Sequence, residues 1–462
     1  MRLTLAQIRD CLGAVGDLFE AEDMLVTRVA TDSRLTGEGD LFVCLSGQKF
    51  DGHMFAHEAV RRGAGAILAQ RPLPEIGGVP VLLVTDTLEA LGRLAACWRT
   101  AAGAFVVAVT GSAGKTTVKE MIAAILSRDR TIAKNYKNYN NLIGVPLSML
   151  AATGEEEAWV LECGISVKGE MERLGAMTAP DVALITNVGP AHLEGLGSLA
   201  GVAEAKCELL RHLVSGGQAL VSQDYSELLT AARRIVPEPE TFSTKDDGAR
   251  FSCENLGGGR FLLLLDGERL EIAPPDAASH LAENLAAAAG AAYLAGASLE
   301  TIKAGLEAPL AIDQRFRCCP CEGFLVIDDS YNANPLSMRR TIMRARELAG
   351  ERPLYLVLGE MRELGGEACA AHQALGAVIA ESGAAAVFYR GGHAFDLRQG
   401  LTEAGWPGQF VEVRSAHDFL AAWTEAASPC GVVLVKGSRG VRMEELGGAL
   451  MKHLRGESGG RS

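Results

Sequence analysis

Residues Phe105–Thr117 read FVVAVTGSAGKTT: an unbroken apolar run, a turn with glycines at 111 and 114, then a lysine and two threonines that open a helix. No other stretch restricts the fold as much. A buried-type strand that delivers a glycine turn to a helix start belongs to a mostly parallel sheet with helices packed on it. Gly111 and Gly114 would free backbone N–H groups to point at phosphate oxygens, and the helix N-terminus adds its positive dipole end. Lys115 would reach the outer phosphates and Thr116 would hold Mg²⁺, with Ser112, Ala113 and Thr117 filling the rest of an ATP-binding loop. The loop is shorter than GxxxxGK, because Val109 stands where the first glycine would be. A glycine turn without a ligand is the alternative; the strand before it and GKTT after it favour a nucleotide.

Three blocks of alternating strands and helices follow from the rest of the chain, as 462 residues exceed what one core serves. The expected division is a small N-terminal α/β substrate domain over 1–86, a central P-loop-type domain over 87–310 and a Rossmann-like C-terminal domain over 311–455. A disordered tail would occupy 456–462. FVVAVT, WVLECG and VALITNV supply the central strands. Arg260–Ile272, with Asp266-Gly267 at its centre, reads as a β-hairpin excursion, and Leu281–Leu294 as an alanine-rich helix. FLVIDDSYNANP, LYLVLGE, AVFYRGG and VVLVKGSR repeat the strand pattern in the third block.

Ligands bind at the carboxyl ends of such strands, and polar residues gather there. Thr110–Lys115 follows the first central strand, Glu162 ends the second, and Asn187–His192 follows the third. In the last block Asp328, Asp329, Asn332 and Asn334 crowd one strand end, and Lys436, Ser438 and Arg439 close another. Each has a bland reading as a cap, a turn or a solvated loop.

The formal charge of −13, with no basic stripe, argues against a nucleic-acid surface. No run is long enough to span a bilayer, and MRLTLAQIRDCL lacks the apolar core of a signal peptide. Eleven cysteines without framework spacing imply reduced thiols in a cytoplasmic protein. The close set Cys318, Cys319 and Cys321 finds no His/Cys partners to complete a metal site.

Together these motifs resemble the Mur ligases of peptidoglycan synthesis over nearly the whole chain, from TDSR at Thr31 to VKGSR ending at Arg439. DDSYNANPLSM and GEMRELG at Gly359–Gly365 resemble the members that add D-alanyl-D-alanine to UDP-N-acetylmuramoyl-tripeptide. The DNPR segment of the diaminopimelate-adding branch is absent from the sequence. The resemblance implies an ATP-dependent amide ligase acting through an acyl phosphate, releasing ADP and phosphate. It implies catalytic roles for Lys115, His192 and Lys206, and Mg²⁺ held by Thr116, Glu162, His192 and a carbamate on Lys206. His280, Asn284, Arg315 and Asp329 would contact ATP. Ser33, Arg34, Asn138, Asn140, Asn141, Asn332, Asn334, Lys436 and Arg439 would contact substrate. Leu281, Ser166, Val167, Gln314 and Glu360 depart from the family's usual residues at their positions.

Three other readings stand beside this one: a sibling amino-acid-adding or folylpolyglutamate-type ligase, a nucleotide-binding regulator that ligates nothing, and a switch-type P-loop NTPase. DDSYNANP opposes the first, retention of Lys115, Glu162, His192 and Lys206 the second, and Val109 with Glu162 the third. The chain is expected to act as a monomer, without nucleic acid or membrane insertion. The third residue of the tripeptide and the angle between domains are not written in the sequence.

Overall fold

A computed structural model describes residues 1–18, 20–47, 50–74, 76–136, 138–246, 248–275, 281–309 and 316–456. Among them the strands form a two-stranded antiparallel pair near the N-terminus and sheets of four, nine and six strands. The four-stranded sheet is all parallel, running from Val29–Ala30 through Leu41–Val43 and Ala66–Ala69 to Val81–Leu83.

Phe105–Thr110 sits inside the nine-stranded sheet, between Ala158–Glu162 and Val182–Ile185. The chain builds one side first, through Ile132–Lys134 and Ala158–Glu162, then crosses to the other, so Phe105–Thr110 is the switch point where ligands enter such sheets. Register brings the three strand ends together, with Val109 opposite Glu162 and Thr110 opposite Ile185. Val106 and Ala108 face one core and Val107 and Val109 the other, all buried. That two-sided burial is why the strand reads as continuous apolar sequence. One core continues through Leu91 and Trp98 of the helix Thr87–Ala102 to Leu5 and Ile8 near the N-terminus.

The region expected to be a hairpin excursion is instead the continuation of this sheet. Phe251–Gly257, Arg260–Leu265 and Glu268–Ile272 pair antiparallel in succession, and the last forms one edge. The turn residues themselves behave as read: Asp266 and Gly267 take φ of 53° and 88°, the left-handed pair that a two-residue hairpin turn needs. Ala282–Leu294 is the alanine-rich helix, and its small side chains let it lie close over the sheet.

The six-stranded sheet runs in the order Arg317–Cys321, Phe324–Asp329, Gly431–Lys436, Leu354–Gly359, Ala386–Arg390 and Gln409–Glu412. All of its pairs are parallel except the first. Cys318, Cys319 and Cys321 lie on its edge hairpin. The expectation of uniformly reduced thiols fails at one place: Cys11 is bonded to Cys97, tying the first helix, Leu5–Leu12, to Thr87–Ala102. The other nine cysteines are free. A separation of 86 residues leaves no spacing cue for this pair. No helix among the described residues is long and apolar enough to cross a membrane. Of the tail, only Gly456 falls within the described residues.

Helices Ala368–Ser382 and Ala394–Glu403 meet backbone to backbone. A Cβ on Gly376 would lie 2.3 Å from the carbonyl carbon of Gly400, and one on Gly400 would lie 1.9 Å from the carbonyl oxygen of Gln373. Glycine to alanine in a helix normally gains about 1 kcal/mol. Here overpacking costing about 1–3 kcal/mol opposes it, and rigid backbone cannot yield. Gly376→Ala should therefore lower the melting temperature by several degrees, as read by differential scanning calorimetry.

Candidate active site

The loop after Phe105–Thr110 is held in shape before any ligand arrives. A Cβ on Gly111 would come within 2.0 Å of Thr186 Oγ1, and one on Gly114, whose φ is +79°, within 2.5 Å of Asn284 Oδ1. Only glycine fits at either position. Asn187 pins the turn: its side-chain oxygen accepts from Ala113 N at 2.8 Å and its amide donates to Ala113 O at 3.1 Å. Ser112 is locked to Gly189 by a reciprocal pair at 3.1 and 3.0 Å. Gly114 caps Lys115–Leu126 without a side-chain cap hydrogen bond, and the positive dipole end of a helix start suits an anion. Lys115 folds back to donate to Gly111 O at 2.7 Å.

Beside the loop, Glu162 is 1% exposed. Its carboxylate accepts from Thr116 Oγ1 at 2.8 Å and from Asn140 Nδ2 at 2.7 Å. Both donors are neutral, and among the described residues no cation pairs with it. Asn135 fixes the strand end by bonding Glu162 N and O at 2.9 Å each. A buried carboxylate flanked by a hydroxyl is a hard-oxygen ligand set suited to Mg²⁺.

Lys206, on the helix Leu199–Cys207, is 1% exposed and has no hydrogen-bond or ion-pair partner among the described residues. Burial pushes its pKa well below the usual lysine value, and the nearby positive charge of Lys115 pushes the same way. The site thus favours the neutral amine, the form that reacts with electrophiles.

The C-terminal domain meets this rim at three points. Asn334, the N-cap of Pro335–Ala349, donates from its side chain to Ser112 O at 3.0 Å. His192 Nδ1 is bonded to Glu363 and lies 3.3 Å from Ser166 Oγ. The His192 bond holds the Glu363 carboxyl below its ordinary pKa. Both His192 and Glu363 have positive φ, 57° and 63°, a strained conformation that collects at functional sites. Third, Arg340 pairs with Glu283 at 2.6 Å. Tyr225 OH and Asn187 Nδ2 also donate to that carboxylate, at 2.7 and 3.1 Å.

The remaining expected residues are dispersed. Asp329 and Lys436 form a buried ion pair with each other, and Lys436 also donates to Asn332 O at 3.0 Å. The pair shapes the DDSYNANP turn. Ser33 donates to Glu58 at 2.8 Å, and Arg34 pairs with Asp32, holding that carboxyl down at about 2. Both lie in the N-terminal domain. Asn141 caps the turn into Gly144–Ala151, accepting from Gly144 N at 2.9 Å. Asn138 contributes its carbonyl to Asn140 N at 2.7 Å. Arg439 reaches Glu444 at 3.3 Å and lies 6.0 Å from the centre of the Tyr331 ring. His280 and Arg315 lie outside the described residues.

Asn284 sits at the loop, against Gly114, and its buried Oδ1 finds no partner among the described residues. An orphaned acceptor facing the cradle is what a bound group with donors would satisfy. Sequence reading missed Glu283, Tyr225, Arg340 and Glu363. Glu283 adjoins a residue already singled out, whereas Arg340 looks like any surface arginine of a helix.

Three family models match the chain: "Mur ligase family, catalytic domain" over 25–99, "Mur ligase middle domain" over 109–292 and "Mur ligase, glutamate ligase domain" over 314–439. The chain is 37% identical to the UDP-N-acetylmuramoyl-tripeptide–D-alanyl-D-alanine ligase of Escherichia coli, covering 98% of this chain and 99% of that one. A crystal structure of MurF from Acinetobacter baumannii superposes with a TM-score of 0.88 at 31% identity, covering 98% of this chain and 99% of that one. MurF ligase from Thermotoga maritima in complex with ADP gives 0.80 at 27% identity, over 94% of this chain and 99% of that one.

Removing one partner of a buried ion pair costs about 3–5 kcal/mol, because the other charge is stranded. Arg340→Ala should lower stability by that amount in urea titrations, and adding Glu283→Gln to it should recover part of the loss.

Proposed function

The chain belongs to the Mur ligase family, and on that premise we propose that it is the ATP-dependent carbon–nitrogen ligase that joins D-alanyl-D-alanine to UDP-N-acetylmuramoyl-tripeptide in peptidoglycan precursor synthesis. The observation that carries the reading is Lys206, buried, without a partner among the described residues and shifted toward its neutral form beside a nucleotide-type loop. A structural lysine placed there would be a plain liability.

A carboxylate resists attack by an amine because its charge repels nucleophiles. Transfer of the γ-phosphoryl group of ATP to a carboxylate oxygen of the tripeptide gives an acyl phosphate and ADP. The dipeptide amine then bonds to the acyl carbon, phosphate leaves, and one proton is lost. The loop Gly111–Thr117 and Lys115 hold the phosphates, and the unpartnered Asn284 oxygen faces the same nucleotide. Thr116 and Glu162 would hold one Mg²⁺, and His192 with a carbamate on Lys206 a second, supplying charge neutralisation and in-line alignment. Among the described residues His192 Nε2 has no hydrogen bond, which fits that role. Addition of carbon dioxide to the neutral Lys206 amine, with loss of one proton, would turn an uncharged buried amine into an anionic oxygen ligand. Asn334 and Arg340 bring the C-terminal domain onto the loop, so that water is kept from the acyl phosphate.

A reaction that consumes ATP and a UDP-linked substrate supports a cytoplasmic location. In that reducing compartment the Cys11–Cys97 bond would be an exception. We read the domains as 1–86, 87–310 and 311–455, with Ser33 and Arg34 on the uridine side, and the enzyme as a monomer without nucleic-acid partners.

Phosphate release from ATP should require both the tripeptide and D-alanyl-D-alanine; release with single amino acids in place of the dipeptide would move the chain to a sibling ligase. Lys206→Ala should cut dipeptide-dependent release by about a hundredfold or more. Added formate should restore part of it, and full activity in the variant would remove the carbamate from the account.

A further inference from the structure

Three donors of the kind that bind transition metals converge where the helices Ala368–Ser382 and Ala394–Glu403 begin. Cys369 lies in the first turn of one helix, Asp396 in the first turn of the other, and His393 is the N-cap of the latter. The Cys369 sulfur, one ring nitrogen of His393 and one carboxylate oxygen of Asp396 all lie within 4.8 Å of one another. Bonds of about 2.3 Å to sulfur and about 2.0 Å to nitrogen or oxygen set tetrahedral donors roughly 3.3–3.7 Å apart. Small side-chain rotations therefore close this set on an ion. A helix cap accounts for the His393–Asp396 pair, at 2.8 Å. It does not account for a cysteine brought to the same point from a different helix.

The surroundings hold the set in place. The His393 ring stacks on that of His372, with centroids 4.4 Å apart and planes 17° from parallel. His372 is buried and has both nitrogens engaged, Nδ1 donating to Ala368 O at 2.7 Å and Nε2 accepting from Met361 N at 3.0 Å. It serves as a platform and not as a ligand. The two helices cannot slide, because Gly376 and Gly400 put their backbones in contact. Both helix starts offer a positive dipole end to a thiolate and a carboxylate. Glu360, fixed by Gly392 N at 2.8 Å, adds a negative charge near His393. Cys369 is exposed and the other two are partly so, which lets an ion enter from solvent. We propose that Cys369, His393 and Asp396 form a binding site for a thiophilic divalent transition metal, Zn²⁺ by preference, with water as the fourth ligand. Mg²⁺ is a poor occupant, since it takes oxygen donors in octahedral array. On binding, a sulfur–metal bond forms and the thiol proton leaves to solvent. Neutral imidazole and ionised carboxylate contribute lone pairs, and no electron is transferred. All three ligands belong to the C-terminal domain, whereas Thr116, Glu162, His192 and Lys206 come from the central one. The site is thus separate from the nucleotide centre and independent of what the chain ligates.

Titration of the full chain with Co²⁺, a coloured stand-in for Zn²⁺, tests this, with Mg²⁺ and ADP saturating so that the nucleotide centre is filled. The wild type should take up a single Co²⁺ with a thiolate-to-metal charge-transfer band in the near ultraviolet, and Zn²⁺ should bleach that band stoichiometrically. Cys369→Ser should lack it. Asp396→Asn and His393→Gln should each weaken Co²⁺ binding by about tenfold or more. Zn²⁺ should raise the melting temperature of the wild type and leave that of Cys369→Ser unchanged. A wild type with no band in excess Co²⁺, or a Cys369→Ser protein that keeps the band, overturns the proposal. So does a band that Asp396→Asn and His393→Gln leave at wild-type affinity, which would mark simple binding to an exposed thiol. If Cys369→Ser loses the thermal shift given by ADP, its fold is damaged, and the other two variants then decide by their affinity ratios.

Discussion

Glu283 is 6% exposed, and it keeps its place only because groups from three separate stretches surround it: Asn187, Tyr225 and Arg340. Each of these does something else as well. Asn187 holds Ala113 in the phosphate loop, Tyr225 precedes the helix Ser226–Arg233, and Arg340 belongs to the C-terminal domain. Burial and the adjacent carboxylate push the Tyr225 hydroxyl upward in pKa, so it remains a donor throughout the working range. A buried pair of this type adds little net stability once desolvation is counted, but it penalises every arrangement that leaves one charge alone. Its effect is therefore geometric: loop, sheet and C-terminal domain are held in one relative placement.

The same logic, inverted, describes the reaction centre. Glu162 and Lys206 are both buried without an opposite charge among the described residues, whereas Asp329 and Lys436, equally buried, satisfy each other. A fold that leaves one acid and one amine uncompensated within a shared rim carries an electrostatic cost that bound partners would relieve. The paired set behaves as scaffold and the unpaired set as chemistry. Both sets are Asp/Glu with Lys at strand ends or on helices, so residue type alone could not separate them.

That is also where the sequence stopped being legible. Runs such as FVVAVT and VVLVKG announce buried strands, and the glycines at 111 and 114 announce a turn that only glycine can make, because these signals are local. Asp266-Gly267 named its own turn correctly, yet nothing local said that the hairpin would extend the main sheet. Arg340 in SMRRTIMRARELA lies on a helix whose periodicity reports an outward face, but not that another domain covers that face. Lys436 and Asp329 were read separately as ligand contacts, although parallel register places them side by side. Cys11 and Cys97 gave no spacing cue for the same reason: pairing across domains is a property of packing.

The nine-stranded sheet has two free margins, and backbone groups on such margins invite strands from neighbouring molecules. One margin is Ile132–Lys134, only three residues long, with Lys134 drawn to Glu120. The other, Glu268–Ile272, reads ERLEI, and its outer carbonyl at Glu271 is taken by Lys303 Nζ at 3.0 Å. Just beyond it, Ala273 N donates to Glu307 at 3.0 Å. Charge, brevity and side-chain occupation of the last backbone groups leave no long ladder for a second molecule to continue. A sheet this wide, in a chain this rich in apolar strands, is thereby spared open-ended polymerisation through its margins.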